Sequence, residues 1–424
     1  MQIVMKRPVQ TVLTSVSVAA VSLFLASAGW AQDWNQWRGP RRDARIEAGT
    51  GSVNLAAKPV QKWKLTVGEG HSSPIVAGNR VYLFARQEEN EVLHCLDRAS
   101  GKSLWQGSYP APYEMNPAAR GHGKGPKSTP VYTEGRVYTL GISGILTCWN
   151  AETGKVEWRK EFGSEYPQTA PDFGTAMSPV VENGVLFAHV GGKNNGALTA
   201  FDARTGTVRW KWTGDGPGYS SPVLVTLDGV RQVVTQTQNQ CVGVDAATGK
   251  LLWSLPFKTP YEQNSVTPVV AENTVIFGGL RQPTFACRVQ RSGDSWNAER
   301  VWEAEELTMY MSSPVLDGNR LYGMSDKRRG LLFVLDAQTG KTLWTGEGRM
   351  GDNASVWNLG GSIVALTTGA ELLVYRKDGN TLTETAKHTL AESAVWASPA
   401  FVGNQLLVKD FDSLALWEWT GAEN

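Results

Sequence analysis

From about residue 60 to its end, the chain is built from short runs in which apolar and polar residues alternate. Arg80-Val81-Tyr82-Leu83-Phe84 and Arg320-Leu321-Tyr322-Gly323-Met324 are two of them, each preceded by a Gly-Asn pair. A period of two bounded by turn residues predicts half-buried β-strands.

The runs are organised by two recurring phrases. The first is Leu96-Asp97-Arg98-Ala99-Ser100-Gly101-Lys102-Ser103-Leu104-Trp105, which returns at 149–158, 201–210, 244–253 and 335–344 with the core Asp-Ala-x-Thr-Gly-Lys-x-x-Trp. Asp or Asn opens a turn through its side chain, Gly supplies a positive φ, and the strand that follows carries a Trp suited to the wedge between neighbouring sheets. The second is a small polar residue, then Pro, then β-branched residues, as in Ser73-Pro74-Ile75, Thr129-Pro130-Val131, Ser178-Pro179-Val180 and Ser313-Pro314-Val315. Proline is tolerated where a strand begins. Each repeat holds about four strands in roughly 40 to 55 residues, the size of a propeller blade. Seven such starts and one degenerate start, Ala354-Ser355-Val356, predict an all-β, eight-bladed β-propeller of four-stranded antiparallel blades. The last repeat lacks a fourth strand, and Val60-Gln61-Lys62-Trp63-Lys64-Leu65 is unpaired at the other end. Closure of the last blade by this N-terminal strand would remove an exposed edge.

These phrases resemble the pyrroloquinoline-quinone-type repeat, whose Ala-x-Asp-x-x-Thr-Gly-x-x-x-Trp signature is matched most closely by Ala200 to Trp210. The resemblance covers about Pro59 to Trp419. It implies two kinds of protein: quinoprotein alcohol dehydrogenases, and non-catalytic periplasmic scaffolds of outer-membrane barrel assembly, BamB-type. Fold alone does not choose between them. In the dehydrogenases the resemblance implies adjacent cysteines over the quinone, a calcium held by Glu and Asn, and an Asp base. This chain has no adjacent cysteines, and Asp172, Asn264 and Asp352 are the oxygen ligands it offers for that alternative. The scaffold relatives are lipoproteins, whereas no Cys stands near the expected cleavage site here.

Lys6 and Arg7 followed by the apolar stretch Thr11 to Leu25 read as a signal peptide, cleaved after Ala28 or after Ala31. A retained membrane anchor is the alternative, although the stretch falls short of the roughly 20 apolar residues that span a bilayer. The organisation expected is a signal peptide over 1–31, an N-terminal extension over 32–56 and the propeller over 57–424. That places the protein in the periplasm or outside the cell, without a lipid anchor or a transmembrane segment in the mature chain. The net charge of +1 gives no general attraction to nucleic acid. Cys95, Cys148, Cys241 and Cys287 are scattered, each in an expected strand, and read as small buried hydrophobes.

Gly101-Lys102-Ser103 and Gly340-Lys341-Thr342 mimic the end of a phosphate loop but lack its upstream Gly, and both fall in repeat turns. Five histidines in all leave little material for metal or acid–base schemes. What departs from the repeat lies in the segments between blades, which emerge beside the channel and are polar and aromatic. The longest, Tyr109 to Lys127, carries Tyr113, His122, Lys124 and Lys127, with Gly121, Gly123 and Gly125 able to present N–H groups to an anion. With His71, Asp172, Tyr219, Gln263, Asn264, Tyr310, Asp352, Asn353 and Trp396 these form the candidate binding face. The expected function is an exported, non-catalytic scaffold that binds a protein or peptide of the cell envelope and needs no cofactor. A calcium- and pyrroloquinoline-quinone-dependent dehydrogenase is one alternative. A sensor of small ligands or polysaccharide, using Tyr219, Tyr310 and Trp396, is the other.

Overall fold

A computed structural model of the chain describes residues 33–46 and 53–420; the expected signal peptide lies outside the described residues. Eight four-stranded antiparallel sheets form the eight blades of a propeller. In blade 1 the order from the channel outward is Ile75–Ala77, Arg80–Gln87, Asn90–Asp97 and Ser103–Pro110. Blades 2 to 7 repeat this order. Blade 8 takes Ala400–Val402, Gln405–Lys409 and Ser413–Glu418 from the C-terminal end and its outermost strand, Val60–Thr66, from the N-terminal end. Trp63 pairs with Leu416 across that junction, so the ring is closed by the strand that the sequence left unpaired.

The first phrase builds each turn and fastens it to its neighbour. Asp97 Oδ1 accepts from Ser100 N at 2.8 Å, and Asp245 Oδ1 accepts from Thr248 N at 2.7 Å in the same way. The Trp stands on the outermost strand and lies over the turn glycine of the next blade: Trp158 over Gly206, Trp210 over Gly249, Trp302 over Gly340. Its indole Nε1 also donates to a carbonyl of that turn, Ala203 O, Ala246 O and Ala337 O respectively, at 3.0 to 3.1 Å. The glycine therefore answers two demands, a φ near +70° and room for an indole. Trp253 departs from this, turning into its own blade to donate to Gln232 Oε1, next to the long hairpin of blade 5.

The second phrase has a use beyond opening strands. Thr129 N donates to Ser178 Oγ, Ser178 N to Ser221 Oγ and Thr267 N to Ser313 Oγ, each at 2.9 Å. The hydroxyl of one blade thus satisfies the backbone of the previous one around the channel, where no strand partner is available. The four cysteines are free and buried within strands.

Candidate functional site

The channel is obstructed by the segment that precedes the first blade. Trp34 pairs with Val76 of blade 1 at 3.0 and 2.9 Å, and Tyr132 N of blade 2 donates to Asn35 O at 2.8 Å. Arg42 donates to Ser178 O and Pro179 O of blade 3, Trp37 Nε1 to Thr267 Oγ1 of blade 5, and Arg38 to Pro314 O of blade 6. Ala44 O receives Asn358 N of blade 7. Both arginines are buried on carbonyls, and desolvation lowers Arg42 to about 9 and Arg38 to about 10. This plug was not legible in the sequence, because Trp34 to Pro40 carries no periodic signal.

Trp37 forms part of the lining of a cavity of about 460 Å³ in the channel. Its walls come from the segments that precede the innermost strands. Among the candidates, His71, His122, Lys127, Tyr219, Gln263, Tyr310, Asn353 and Trp396 line it. His122 meets Trp396 edge-on at 4.7 Å between ring centroids and His71 at 5.7 Å. Lys127 Nζ donates to Phe173 O at 2.7 Å, and burial lowers it to about 8. His71 is lowered to about 3 by burial and by the neighbouring His122, Lys127 and Lys409, so it is neutral at pH 7. Among the described residues neither of its ring nitrogens has a hydrogen-bond partner; the ring leans toward the backbone of His122 without reaching hydrogen-bond geometry. Asn353 Oδ1 accepts from Met311 N at 2.9 Å, and its Nδ2 has no partner among the described residues.

The remaining candidates stand apart from this cavity. Asn264 is fully buried as a clamp: its Oδ1 accepts from Thr259, and its Nδ2 donates to Thr237 O, Gln238 O and Phe257 O. Asp172 is paired with Lys193 at 3.0 Å, and Tyr113 lies behind it with its hydroxyl beside Gly174. Asp352 is exposed. Lys124 reaches Glu89 at 3.9 Å. The glycine-rich segment serves an anion of the chain itself: Lys124 N donates to Glu69 Oε2, and Gly125 packs against the Glu69 backbone.

Calcium asks for six to eight oxygen ligands, carboxylates among them. No Asp or Glu side chain lines the cavity among the described residues, and the Asn264 amide and the Asp172 carboxylate are already engaged. The donor set does not fit a calcium-held quinone. What the cavity does offer is one cation, aromatic walls, and uncommitted donors and acceptors.

Two large apolar side chains on its rim are exposed, Tyr261 at 72% and Met311 at 39%, and Tyr261 holds a left-handed backbone with φ +59°. The other large apolar residues exposed among the described residues, Val60, Leu104, Val156, Val208 and Leu251, are spread singly over the outermost strands. Among the described residues no helix is long and apolar enough to cross a membrane.

Comparison with known proteins agrees with this architecture. The protein of Yersinia pestis called outer membrane protein assembly factor BamB is 22% identical over 373 residues, spanning 83% of this chain and 86% of that protein. Two solved structures share the fold: BamB from Moraxella catarrhalis, with a TM-score of 0.58 and 14% identity over 85% of this chain and 99% of that one, and quinohemoprotein alcohol dehydrogenase from Comamonas testosteroni, with 0.66 and 14% over 94% and 82%. The family model described as outer membrane protein assembly factor BamB matches residues 88–346, more than half of the chain. The chain belongs to that family.

Proposed function

We propose that this protein is an exported, non-catalytic scaffold of outer-membrane protein assembly, which docks a protein partner of the cell envelope on the face where the channel opens. Membership of the family that bears this description supports the scaffold role. The observation that carries the choice of face is Tyr261. A mostly exposed aromatic held at positive φ on the rim of a concave site is costly to keep, and such features gather at binding surfaces. Met311 extends the same apolar rim. No catalytic step is part of this reading, and no cofactor is needed for it.

Site-specific photo-crosslinking in the native envelope tests it. A photoreactive residue at position 261 should capture a component of the outer-membrane assembly machinery, and one at Val208, on an outermost strand, should not. Capture from position 208 alone, or from neither position, would overturn the assignment of the face.

A further inference from the structure

The cavity beneath that rim is more than a dent in a docking surface, because its chemistry is selective. Among the described residues its only charged lining side chain is Lys127. Among the described residues the ammonium, with three protons to donate, has one acceptor, Phe173 O, and no carboxylate within ion-pair reach. His71, buried to about nine-tenths, lines the same cavity with both ring nitrogens unpartnered. Asn353, 3% exposed, contributes an unpartnered Nδ2. Buried polar groups without partners are rare in folded proteins and mark places where something else supplies the bond. The walls are apolar and aromatic, with Trp37 and Trp396 among them. A volume of about 460 Å³ lies in the range of small-molecule sites.

We infer that the channel cavity is a binding site for a small ring-bearing monocarboxylate, whose carboxylate is held by Lys127 and His71 without a metal and whose ring lies among the aromatic walls. One cation matches one carboxylate. A charge-assisted hydrogen bond from a desolvated ammonium is strong enough to distinguish an acid from its neutral amide. His71, neutral, donates through one nitrogen. Asn353 then meets an acceptor on the far part of the ligand. The site is independent of which protein docks on the rim, so its failure would leave the scaffold reading standing.

Calorimetric titration of the whole protein tests the inference with four probes: phenylacetate, glucuronate, phenylacetamide and acetate. The first two separate a flat aromatic body from a saccharide one. At least one of them should bind with a Kd below about 1 mM, and at least roughly tenfold more tightly than phenylacetamide or acetate. Lys127→Met should reduce the acid to the level of the amide, and Lys127→Arg should preserve the preference. Trp396→Ala should weaken the ring acid while leaving acetate unchanged. Equal binding of acid and amide by the unaltered protein would overturn the inference, as would no binding of either ring acid up to about 10 mM. Neither of these outcomes depends on a variant that folds. An unchanged preference in a folded Lys127→Met protein would overturn it as well.

Discussion

Trp63, on the strand that closes the ring, lies against Gly101 in the turn of blade 1 and donates its Nε1 to Arg98 O at 2.9 Å. The first strand of the propeller is thereby held twice, by ladder bonds to Ser413–Glu418 in its own blade and by this indole on the next one. A Cβ added at Gly101 would come within 2.8 Å of the Trp63 ring, whereas one added at Gly78, also at positive φ, would meet nothing within 4 Å. The pair separates conformational strain from the clash. Gly78→Ala should cost about 1 kcal/mol. Gly101→Ala should cost about 2 to 4 kcal/mol, because the indole must also move. Urea unfolding midpoints measure both, and equal losses would show that the indole contact contributes nothing.

The repeat was readable because its physics is local. An Asp that caps a turn, a Gly at positive φ and a Trp at fixed spacing leave the same trace at 97–105 as at 245–253. The hydroxyl before each Pro was visible as a pattern, but its acceptor role joins residues on different blades, as in Thr129 with Ser178. No local reading gives that pairing. The site was half legible for the same reason. Segments before the innermost strands had to surround the channel, which brought His71, Lys127 and Trp396 together. Asn264 and Asp172 occupy similar segments, yet their side chains are engaged with Thr237 O and Lys193, and only three-dimensional packing reveals that. Trp37 was missed because the plug has no period.

Arg42 should prove to be the anchor of that plug. Its guanidinium reaches Ser178 O and Pro179 O at 3.0 Å, at the edge of the innermost strand of blade 3. Arg42→Met keeps the length of the side chain but leaves these carbonyls without their donor. A loss of about 2 to 3 kcal/mol is expected, the cost of unsatisfied buried groups offset by the relief of a desolvated charge. The plug should also loosen, seen as faster amide exchange at Trp34, Val76 and Tyr132, whose N–H groups donate between plug and blade. Unchanged exchange would mean that Trp34 and Trp37 hold the plug without it.

Glu91 gives the fold a pH dependence of unusual sign. Its carboxylate is buried between blades 1 and 2, accepting from Ile142 N at 2.7 Å and from Tyr109 OH at 2.9 Å. Burial outweighs these bonds and raises it from 4.5 to about 7. Between those values the folded protein keeps a proton that the unfolded chain has released. Stability from this group therefore falls as pH rises from 4.5 to 7 and is level above. The shift corresponds to on the order of 3 kcal/mol. His71, His94 and His189 are all lowered by burial and have the opposite slope, so the comparison must be with Glu91→Gln, in which they cancel. The variant should gain on the wild type by about 3 kcal/mol between pH 4.5 and pH 8 in urea unfolding. A difference that does not vary with pH would refute the assignment.

Lys409 should show its effect in the alkaline range. Its ammonium is wholly buried and donates to Gly70 O at 3.1 Å, Asp410 O at 2.7 Å and Phe411 O at 2.9 Å. These bonds tie blade 8 to the residue before His71, and Phe411 is itself a ring neighbour of His71 at 6.4 Å. Burial lowers Lys409 from 10.5 to about 8, against the opposing pull of Asp410, Asp412 and Glu69. Between pH 8 and 10.5 the unfolded chain holds more protons than the folded one, so stability from this group rises with pH across that window. Lys409→Met removes both the bonds and the titration. At pH 7.5 it should be less stable than the wild type by about 2 kcal/mol, from three carbonyls left without a donor. The gap should widen toward pH 9.5, while the depressed Lys127 and Arg42, common to both proteins, cancel. Urea midpoints at the two pH values decide it: a gap that narrows would show that Lys409 is held as a stabilised cation, not as one that burial drives toward neutrality.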